Sequence, residues 1–133
     1  MSKVRVLLAD DYPKLLETVE SILDPLFEVV AKVADGKSLL EAARESNPDV
    51  IVTDISMPII NGIEAVKSLK ESGCRSKVVF LTVHSDHDFV RACIDAGASG
   101  YVVKAQMSAD LLVAMRAALA GRIFVSPILT YQN

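Results

Sequence analysis

Short apolar runs alternate with longer amphipathic segments along the chain, and five such pairs can be counted. The apolar runs are rich in Val, Ile and Leu and predict strands that are buried on both faces, as in a parallel sheet. The longer segments repeat apolar residues every three or four positions, which predicts helices that pack on that sheet. The alternation therefore predicts an α/β fold with a doubly wound, five-stranded parallel sheet and helices on both of its faces.

The boundaries of these elements follow from where the apolar patterns begin and end. Strands are predicted at Val4–Ala9, Phe27–Val33, Asp49–Thr53, Lys77–Thr82 and Tyr101–Val103. Helical apolar spacing is found at Leu15–Leu23, Leu39–Ala43, Ile63–Leu69, Phe89–Ile94 and Leu111–Leu119. Asn47-Pro48 is expected to end the second helix. The predicted N-caps are Ser85 or Asp86 for the fourth helix and Ser108 for the fifth.

The length and charge of the chain limit the classes of function it can have. Its 133 residues suit one domain, expected over residues 1–121, with 122–133 as a C-terminal tail or the start of a linker to a further domain. The net charge of −3 gives no electrostatic reason to expect direct binding to nucleic acid or to an anionic membrane.

Apolar stretches such as Val78–Val83 are too short to span a bilayer, and the N-terminus lacks a signal-peptide pattern, so a cytoplasmic location is expected. The two cysteines, Cys74 and Cys93, form no Cys-x-x-Cys motif and predict neither a zinc site nor a dithiol site.

Polar residues follow the predicted strands at the points where these strands end. Asp10 and Asp11 follow the first strand and Asp54 follows the third. Thr82 ends the fourth strand and Lys104 follows the fifth. Because ligands of such folds bind outside the carboxyl ends of the strands, these side chains are expected to meet at one rim of the sheet.

Three carboxylates at one rim repel one another unless a cation is bound among them. No His or Cys accompanies them, and hard oxygen ligands favour Mg²⁺. The Lys104 ammonium and the Thr82 hydroxyl complete a site suited to a transferring phosphoryl group. The spacing favours Asp54 as a nucleophile that becomes an aspartyl-phosphate, with Asp10 and Asp11 holding the metal.

Four motifs lie in order along the chain: Asp10-Asp11, Asp54-x-x-Met57-Pro58-x-x-Asn61-Gly62, Thr82, and Gly97-x-x-Gly100-Tyr101-x-x-Lys104. The ordered set resembles the receiver domain of bacterial response regulators, the CheY-like superfamily. The resemblance implies a flavodoxin-like (βα)5 fold that accepts a phosphoryl group on Asp54 from a histidine kinase or phosphotransfer protein. It implies no enzymatic turnover beyond slow self-catalysed phosphorylation and dephosphorylation.

The resemblance also implies a role for each site residue. It places Mg²⁺ on Asp11, Asp54 and the backbone carbonyl of Ser56, with Asp10 assisting indirectly. It places Lys104 on the phosphoryl group. It makes Thr82 and Tyr101 a switch pair, in which the tyrosine ring turns inward to fill space that the Thr82 side chain vacates.

Three stretches are similar to the NarL/FixJ-type group of transcriptional regulators: Thr82-Val83-His84, Gly97–Tyr101 and Ala120–Pro127. This similarity implies a DNA-binding output domain beyond the tail, no direct DNA binding by this chain, and homodimerisation on phosphorylation. It also places Ser56 and His84 beside the phosphorylation pocket, at positions that tune the lifetime of the phosphoryl group. One residue departs from the wider family, because many receivers follow the lysine with a cis-proline and Ala105 stands here, which predicts a looser turn.

Each of these residues also has a simpler interpretation. Asp10 and Asp11 could only cap the first helix, Thr82 could be a plain strand residue, Tyr101 a core aromatic and Lys104 a solvated charge. Their convergence on one rim favours the functional interpretation over all of these.

Other functions remain open for a chain of this pattern. A phosphatase with an Asp nucleophile usually carries Asp-x-Asp after the first strand, but Asp10-Asp11-Tyr12 stands there. A flavodoxin-like electron carrier needs a Ser, Thr or Gly-rich phosphate loop at that position. A stand-alone module that acts by protein–protein interaction is the third alternative. His84 and His87 could hold a metal, but two surface histidines are the favoured interpretation.

Overall fold

The computed structural model describes the backbone of residues 3–131 and the side chains of residues 3–129. Residues 1, 2, 132 and 133, which belong to the predicted domain and its tail, lie outside the described residues. The strands are β1 (Val4–Ala9), β2 (Phe27–Val33), β3 (Val50–Thr53), β4 (Lys77–Thr82), β5 (Gly100–Val103) and β6 (Phe124–Val125). The helices are α1 (Pro13–Leu23), α2 (Gly36–Ser46), α3 (Gly62–Glu71), α4 (His87–Asp95) and α5 (Met107–Leu119). Short 3₁₀ turns cover Lys104–Gln106 and Pro127–Tyr131.

The strands form one parallel sheet in the order β2-β1-β3-β4-β5-β6. Its first five strands follow the order that places a ligand site at the switch point beside β1 and β3. The predicted flavodoxin-like parallel fold is therefore confirmed. The predicted strand number of five is wrong, because β6 pairs with the outer edge of β5.

The sixth strand is only two residues long, so it carries no alternating pattern from which it could have been predicted. It satisfies backbone groups that would otherwise be unpaired along the edge of β5. The chain then continues into the 3₁₀ turn, where the Leu129 side chain is 2% exposed and belongs to the core. Residues 124–131, which comprise β6 and this turn, form the C-terminal strap.

Side chains on the two faces of the sheet form two separate cores, as the doubly wound pattern predicts. Leu7 in β1 belongs to the core that lies under α2, α3 and α4 and also contains Phe80 and Tyr101. Leu8, the next residue, faces the opposite core with α1 and α5. This alternation buries β1, β3, β4 and β5 on both faces and explains their nearly continuous apolar sequences. Of the helices described within residues 3–131, none is long and apolar enough to cross a membrane.

The helix ends show where local sequence signals hold. Asp86 caps α4 as predicted, since its side chain accepts a hydrogen bond from the Phe89 amide. Ser108 does not cap α5, because the 3₁₀ turn after β5 leads directly into a helix that begins at Met107. Leu119, predicted to line the apolar stripe of α5, is the last residue of the helix and is 41% exposed.

The buried Leu129 predicts that the strap stabilises the fold. Leu129→Ala should lower the free energy of unfolding by about 2–5 kcal/mol, because it removes buried methyl groups and leaves a cavity. Ile128→Ala is the matched control; its side chain is 44% exposed, and its cost should stay within about 0.5 kcal/mol. Urea denaturation measures both variants, and equal losses would contradict the described position of the strap.

Candidate functional site

Two buried carboxylates lie at the carboxyl ends of neighbouring strands. Asp10 follows β1 and Asp54 follows β3, and the Asp54 amide donates a hydrogen bond of 3.0 Å to the Ala9 carbonyl. Asp10 is 3% exposed and Asp54 is 6% exposed, whereas Asp11 is exposed. The register of two adjacent parallel strands thus brings the predicted acidic residues together at one rim.

The Lys104 ammonium lies between the two buried carboxylates. Its Nζ is 2.9 Å from Asp10 Oδ2 and 3.1 Å from Asp54 Oδ2. The lysine reaches them from the end of β5, and its side chain is only 18% exposed. The interpretation of Lys104 as a solvated surface charge is therefore wrong.

The remaining carboxylate oxygens accept hydrogen bonds from the backbone. Asp10 Oδ1 accepts from the Tyr12 amide at 2.9 Å, and Asp54 Oδ1 accepts from the Ile55 amide at 2.7 Å. Asp10 caps α1 at most indirectly, since Tyr12 occupies the N-cap position and its side chain makes no capping bond. Each buried carboxylate is thus oriented by one backbone amide and one ammonium.

The cluster holds more negative charge than positive charge. One oxygen from each of Asp10, Asp11 and Asp54 lies within 4.8 Å of the others. Burial raises the pKa of the Asp10 carboxyl, and the hydrogen bond and charge of Lys104 offset this only in part. Burial acts to lower the pKa of the Lys104 ammonium, but its hydrogen bonds to the two carboxylates and their charges outweigh it, so this pKa is raised. These oxygens are the hard ligands that Mg²⁺ prefers, so the trio could bind such an ion.

The loop after Asp54 is held close to the backbone of the site. The Gly62 amide donates a 2.7 Å hydrogen bond to the Ile55 carbonyl at the start of α3. A Cβ at Gly62 would overlap the Asp54 carbonyl oxygen, so this position requires glycine. Asn61 caps α3 by accepting from the Glu64 amide. The Asn61-Gly62 part of the motif therefore fixes the path of the chain beside Asp54.

Thr82 and Tyr101 both bond to the backbone of His84. Thr82 Oγ1 accepts from the His84 amide at 3.2 Å, and the Tyr101 hydroxyl donates to the His84 carbonyl at 2.8 Å. Burial raises the pKa of the Tyr101 phenol, which keeps it a hydrogen-bond donor. Both side chains are fully buried, so the inward position of the tyrosine ring is already occupied in this structure.

The His84 side chain makes contacts that the sequence did not predict. Its Nε2 is hydrogen bonded to Ser56 Oγ at 3.0 Å, across the mouth of the site. Its ring stacks on Phe89 of α4, with centroids 4.2 Å apart. The only sequence signal for this bridge was the position of Ser56 and His84 two residues after Asp54 and Thr82.

Comparison with known proteins relates this chain to one family. The model of the response regulator receiver domain family matches residues 6–116. The transcriptional regulatory protein DegU of Brevibacillus brevis is 38% identical over 133 residues, covering 98% of this chain and 56% of that protein. The nitrate/nitrite response regulator NarL of Escherichia coli is 33% identical over 127 residues, covering 94% of this chain and 59% of that protein. The chain thus spans little more than half the length of these curated relatives.

Solved structures share the fold. A two-component response regulator of the LuxR family from Aurantimonas superimposes with a TM-score of 0.92 at 34% identity, covering 98% of this chain and 95% of that one. The receiver domain of a putative NarL regulator from Mycobacterium tuberculosis gives a TM-score of 0.86 at 27% identity, covering 92% of this chain and all of that one.

The unbalanced acidic charge predicts how Asp10 titrates. In metal-free protein the pKa of its carboxyl should lie above the ordinary value for an aspartate, because the side chain is buried. Added Mg²⁺ should lower this pKa, because a cation favours the ionised form. Carboxyl ¹³C NMR in EDTA and then in Mg²⁺ measures this. Asp35 is an internal control, since the Ser38 amide lowers its pKa and Mg²⁺ should not change it. A metal-free Asp10 pKa at or below the ordinary value for an aspartate would contradict the description of the cluster.

Proposed function

Since the chain belongs to the response regulator receiver domain family and is similar to NarL-type regulators, we propose that it is a phosphoacceptor switch whose Asp54 is phosphorylated by a histidine kinase or phosphotransfer protein. The observation that carries this proposal is the buried pair of carboxylates with Lys104 between them. A carboxylate nucleophile and an ammonium at 3.1 Å are the two protein groups that phosphoryl transfer to this site requires.

The metal of this proposal is Mg²⁺, held by Asp11, Asp54 and the backbone carbonyl of Ser56, with Asp10 assisting indirectly. The spacing of the carboxylate oxygens and their incomplete neutralisation by Lys104 support this assignment. When bound, such an ion neutralises charge on the phosphoryl oxygens and fixes their orientation.

The transfer step forms one bond and breaks one. An Asp54 carboxylate oxygen attacks the phosphorus of a phosphohistidine and forms a new P–O bond. The P–N bond breaks, its electron pair stays on the donor imidazole nitrogen, and this nitrogen takes a proton from solvent. The product is an aspartyl-phosphate and a free histidine. As negative charge moves from the Asp54 carboxylate to the phosphoryl oxygens, the Lys104 ammonium shifts its contact to those oxygens. Slow attack by water on the phosphorus later releases inorganic phosphate and returns Asp54 to a carboxylate, so the domain acts as a switch and not as a turnover enzyme.

Labelling with acetyl phosphate tests the nucleophile. The wild-type protein should gain a base-labile phosphoryl group in Mg²⁺ and none in EDTA. Asp54→Asn should lose the label, because an amide is not a nucleophile for this reaction, while its circular dichroism stays unchanged. Asp95→Asn, which neutralises an exposed aspartate of α4, is the control and should keep the label. Full labelling of the Asp54→Asn protein would exclude Asp54 as the acceptor.

We further propose that Thr82 and Tyr101 carry the signal to α4. The Thr82 hydroxyl now accepts from the His84 amide and can donate its own proton to a phosphoryl oxygen. Movement of the side chain toward that oxygen changes the bond from the His84 amide and displaces the His84 backbone. Movement of the His84 backbone then changes the hydrogen bond that its carbonyl accepts from Tyr101. The tyrosine ring itself already lies in the buried, inward position. Two states that differ by a few kcal/mol suffice, and the phosphoryl group shifts their populations.

A substitution at Thr82 tests this coupling. Beryllofluoride with Mg²⁺ should shift the NMR signals of His84, Tyr101 and α4 in the wild-type protein. Thr82→Ala should keep acetyl phosphate labelling but lose these distant shifts. Thr18→Ala removes an exposed threonine hydroxyl from the surface of α1 and should behave like the wild type. Unchanged Tyr101 shifts in Thr82→Ala would contradict the proposed route.

The relatives suggest the output of the switch. DegU and NarL are named as regulatory proteins, and this chain matches a little more than half of each. We propose that it is the cytoplasmic regulatory domain of a DNA-binding transcriptional regulator, which homodimerises on phosphorylation and does not itself contact DNA or membrane. The alternative is a stand-alone receiver that acts by protein–protein contact. A helix-turn-helix encoded downstream of residue 133 in the parent gene would support the first and its absence the second.

A further inference from the structure

Ser126 of the C-terminal strap is bonded to β5 at two points. Its amide donates a 2.9 Å hydrogen bond to the Tyr101 carbonyl, and its Oγ accepts a 3.0 Å hydrogen bond from the Val103 amide. Ser126 is fully buried, and the nearby Leu129 anchors the strap in the core. The residue that follows Val103 is Lys104, which makes both ion pairs of the site.

We infer that Ser126 is a positioning residue that holds the end of β5, and through it the Lys104 ammonium, at the phosphoacceptor site. This inference rests on the proposed function for its meaning, but its geometry does not depend on phosphorylation. The receiver domain family model matches residues 6–116, so the strap lies beyond the segment that this model covers.

The end of β5 needs such a restraint. Lys104 lies beyond the last residue of the strand, at the start of a 3₁₀ turn, where the register of β4 and β5 no longer constrains the backbone. Ala105 follows it, where many members of the family that this sequence resembles have a proline ring. The turn was therefore predicted to be looser, yet Lys104 is held within 3.1 Å of both carboxylates. The Ser126 hydroxyl supplies a fixed acceptor for the last β5 amide and so limits how the turn can move.

A purely structural role for Ser126 is the competing interpretation, and the chain contains a matched control. Ser76 is also buried, at 3% exposure, and its Oγ donates a 2.6 Å hydrogen bond to the Pro48 carbonyl. It precedes β4 at the opposite end of the sheet from the carboxylates. Ser76→Ala and Ser126→Ala therefore each remove one buried serine–backbone bond, and only the second should affect Lys104.

Two measurements distinguish a positioning role of Ser126 from a purely structural one. The ammonium ¹H–¹⁵N signal of Lys104, assigned by its loss in Lys104→Met, should be resolved in wild type and Ser76→Ala without any ligand and broadened in Ser126→Ala. The affinity for beryllofluoride in saturating Mg²⁺ should fall about tenfold in Ser126→Ala, the factor that the loss of one buried hydrogen bond gives, and stay unchanged in Ser76→Ala. Ser126→Thr keeps the hydroxyl and should restore both readouts.

A reciprocal measurement does not require the Ser126 variants to fold. If the Ser126 bond strengthens the Lys104 ion pairs, removal of those ion pairs must weaken the Ser126 bond by the same free energy. Amide hydrogen exchange at Val103 should therefore rise in Lys104→Met. Lys32→Met, which breaks the surface pair with Glu20, is the control and should leave Val103 exchange unchanged.

The results that would overturn the inference are distinct from those that would overturn the proposed function. Equal ammonium signals and equal beryllofluoride affinities in Ser126→Ala and Ser76→Ala, or unchanged Val103 exchange in Lys104→Met, would leave Ser126 with a structural role only. A wild-type protein that does not bind beryllofluoride would refute the phosphoacceptor function. The inference that Ser126 positions Lys104 would still hold in that case, provided that the Lys104 ammonium signal depended on Ser126.

Discussion

The ion pairs of Lys104 with Asp10 and Asp54 are the interaction on which the rest of the site depends. Two carboxylates that are almost fully buried would be costly without a partner, because burial penalises their charged form. One ammonium cannot neutralise them together with the nearby Asp11, so the cluster keeps an excess of negative charge. That excess is what makes the rim suitable for a divalent cation. The Lys104 ammonium, in turn, is attracted to whichever oxygens of the site carry negative charge.

Most of the sheet could be predicted because its interior strands are buried on both faces. β1 and β4 begin and end where the apolar runs do, since each interior strand must place apolar side chains in both cores. β2 also has the predicted bounds, although it is an edge strand with exposed charged residues. β6 could not be predicted in this way, because two residues show no periodicity and their pairing depends on the exposed edge of β5. The start of α5 was misplaced for a related reason. A 3₁₀ turn leads into this helix, and no side-chain cap marks where it begins.

The convergence of the site residues was predictable because parallel strands end at a common edge. The strand order brings together Asp10, Asp54 and Lys104. The ordered sequence motifs predict the same three residues at the site. The contacts of Ser126 and of the His84 ring were not predictable. Each joins segments that are distant in sequence, and serine and histidine at such positions have no distinctive local pattern. The burial of the Tyr101 ring also depends on packing against both the sheet and α4, which residue spacing does not determine.

One variant, Lys104→Met, separates the role of the carboxylates in metal binding from the role of Lys104 in phosphoryl binding. Isothermal titration of Lys104→Met with Mg²⁺, and then with beryllofluoride in saturating Mg²⁺, separates metal binding from phosphoryl binding. Because the ammonium competes with a metal ion for the same carboxylate oxygens, Mg²⁺ should bind this variant at least as tightly as wild type. Beryllofluoride binding should be lost. Loss of Mg²⁺ binding, or retention of wild-type beryllofluoride affinity, would contradict the account of how this site holds charge.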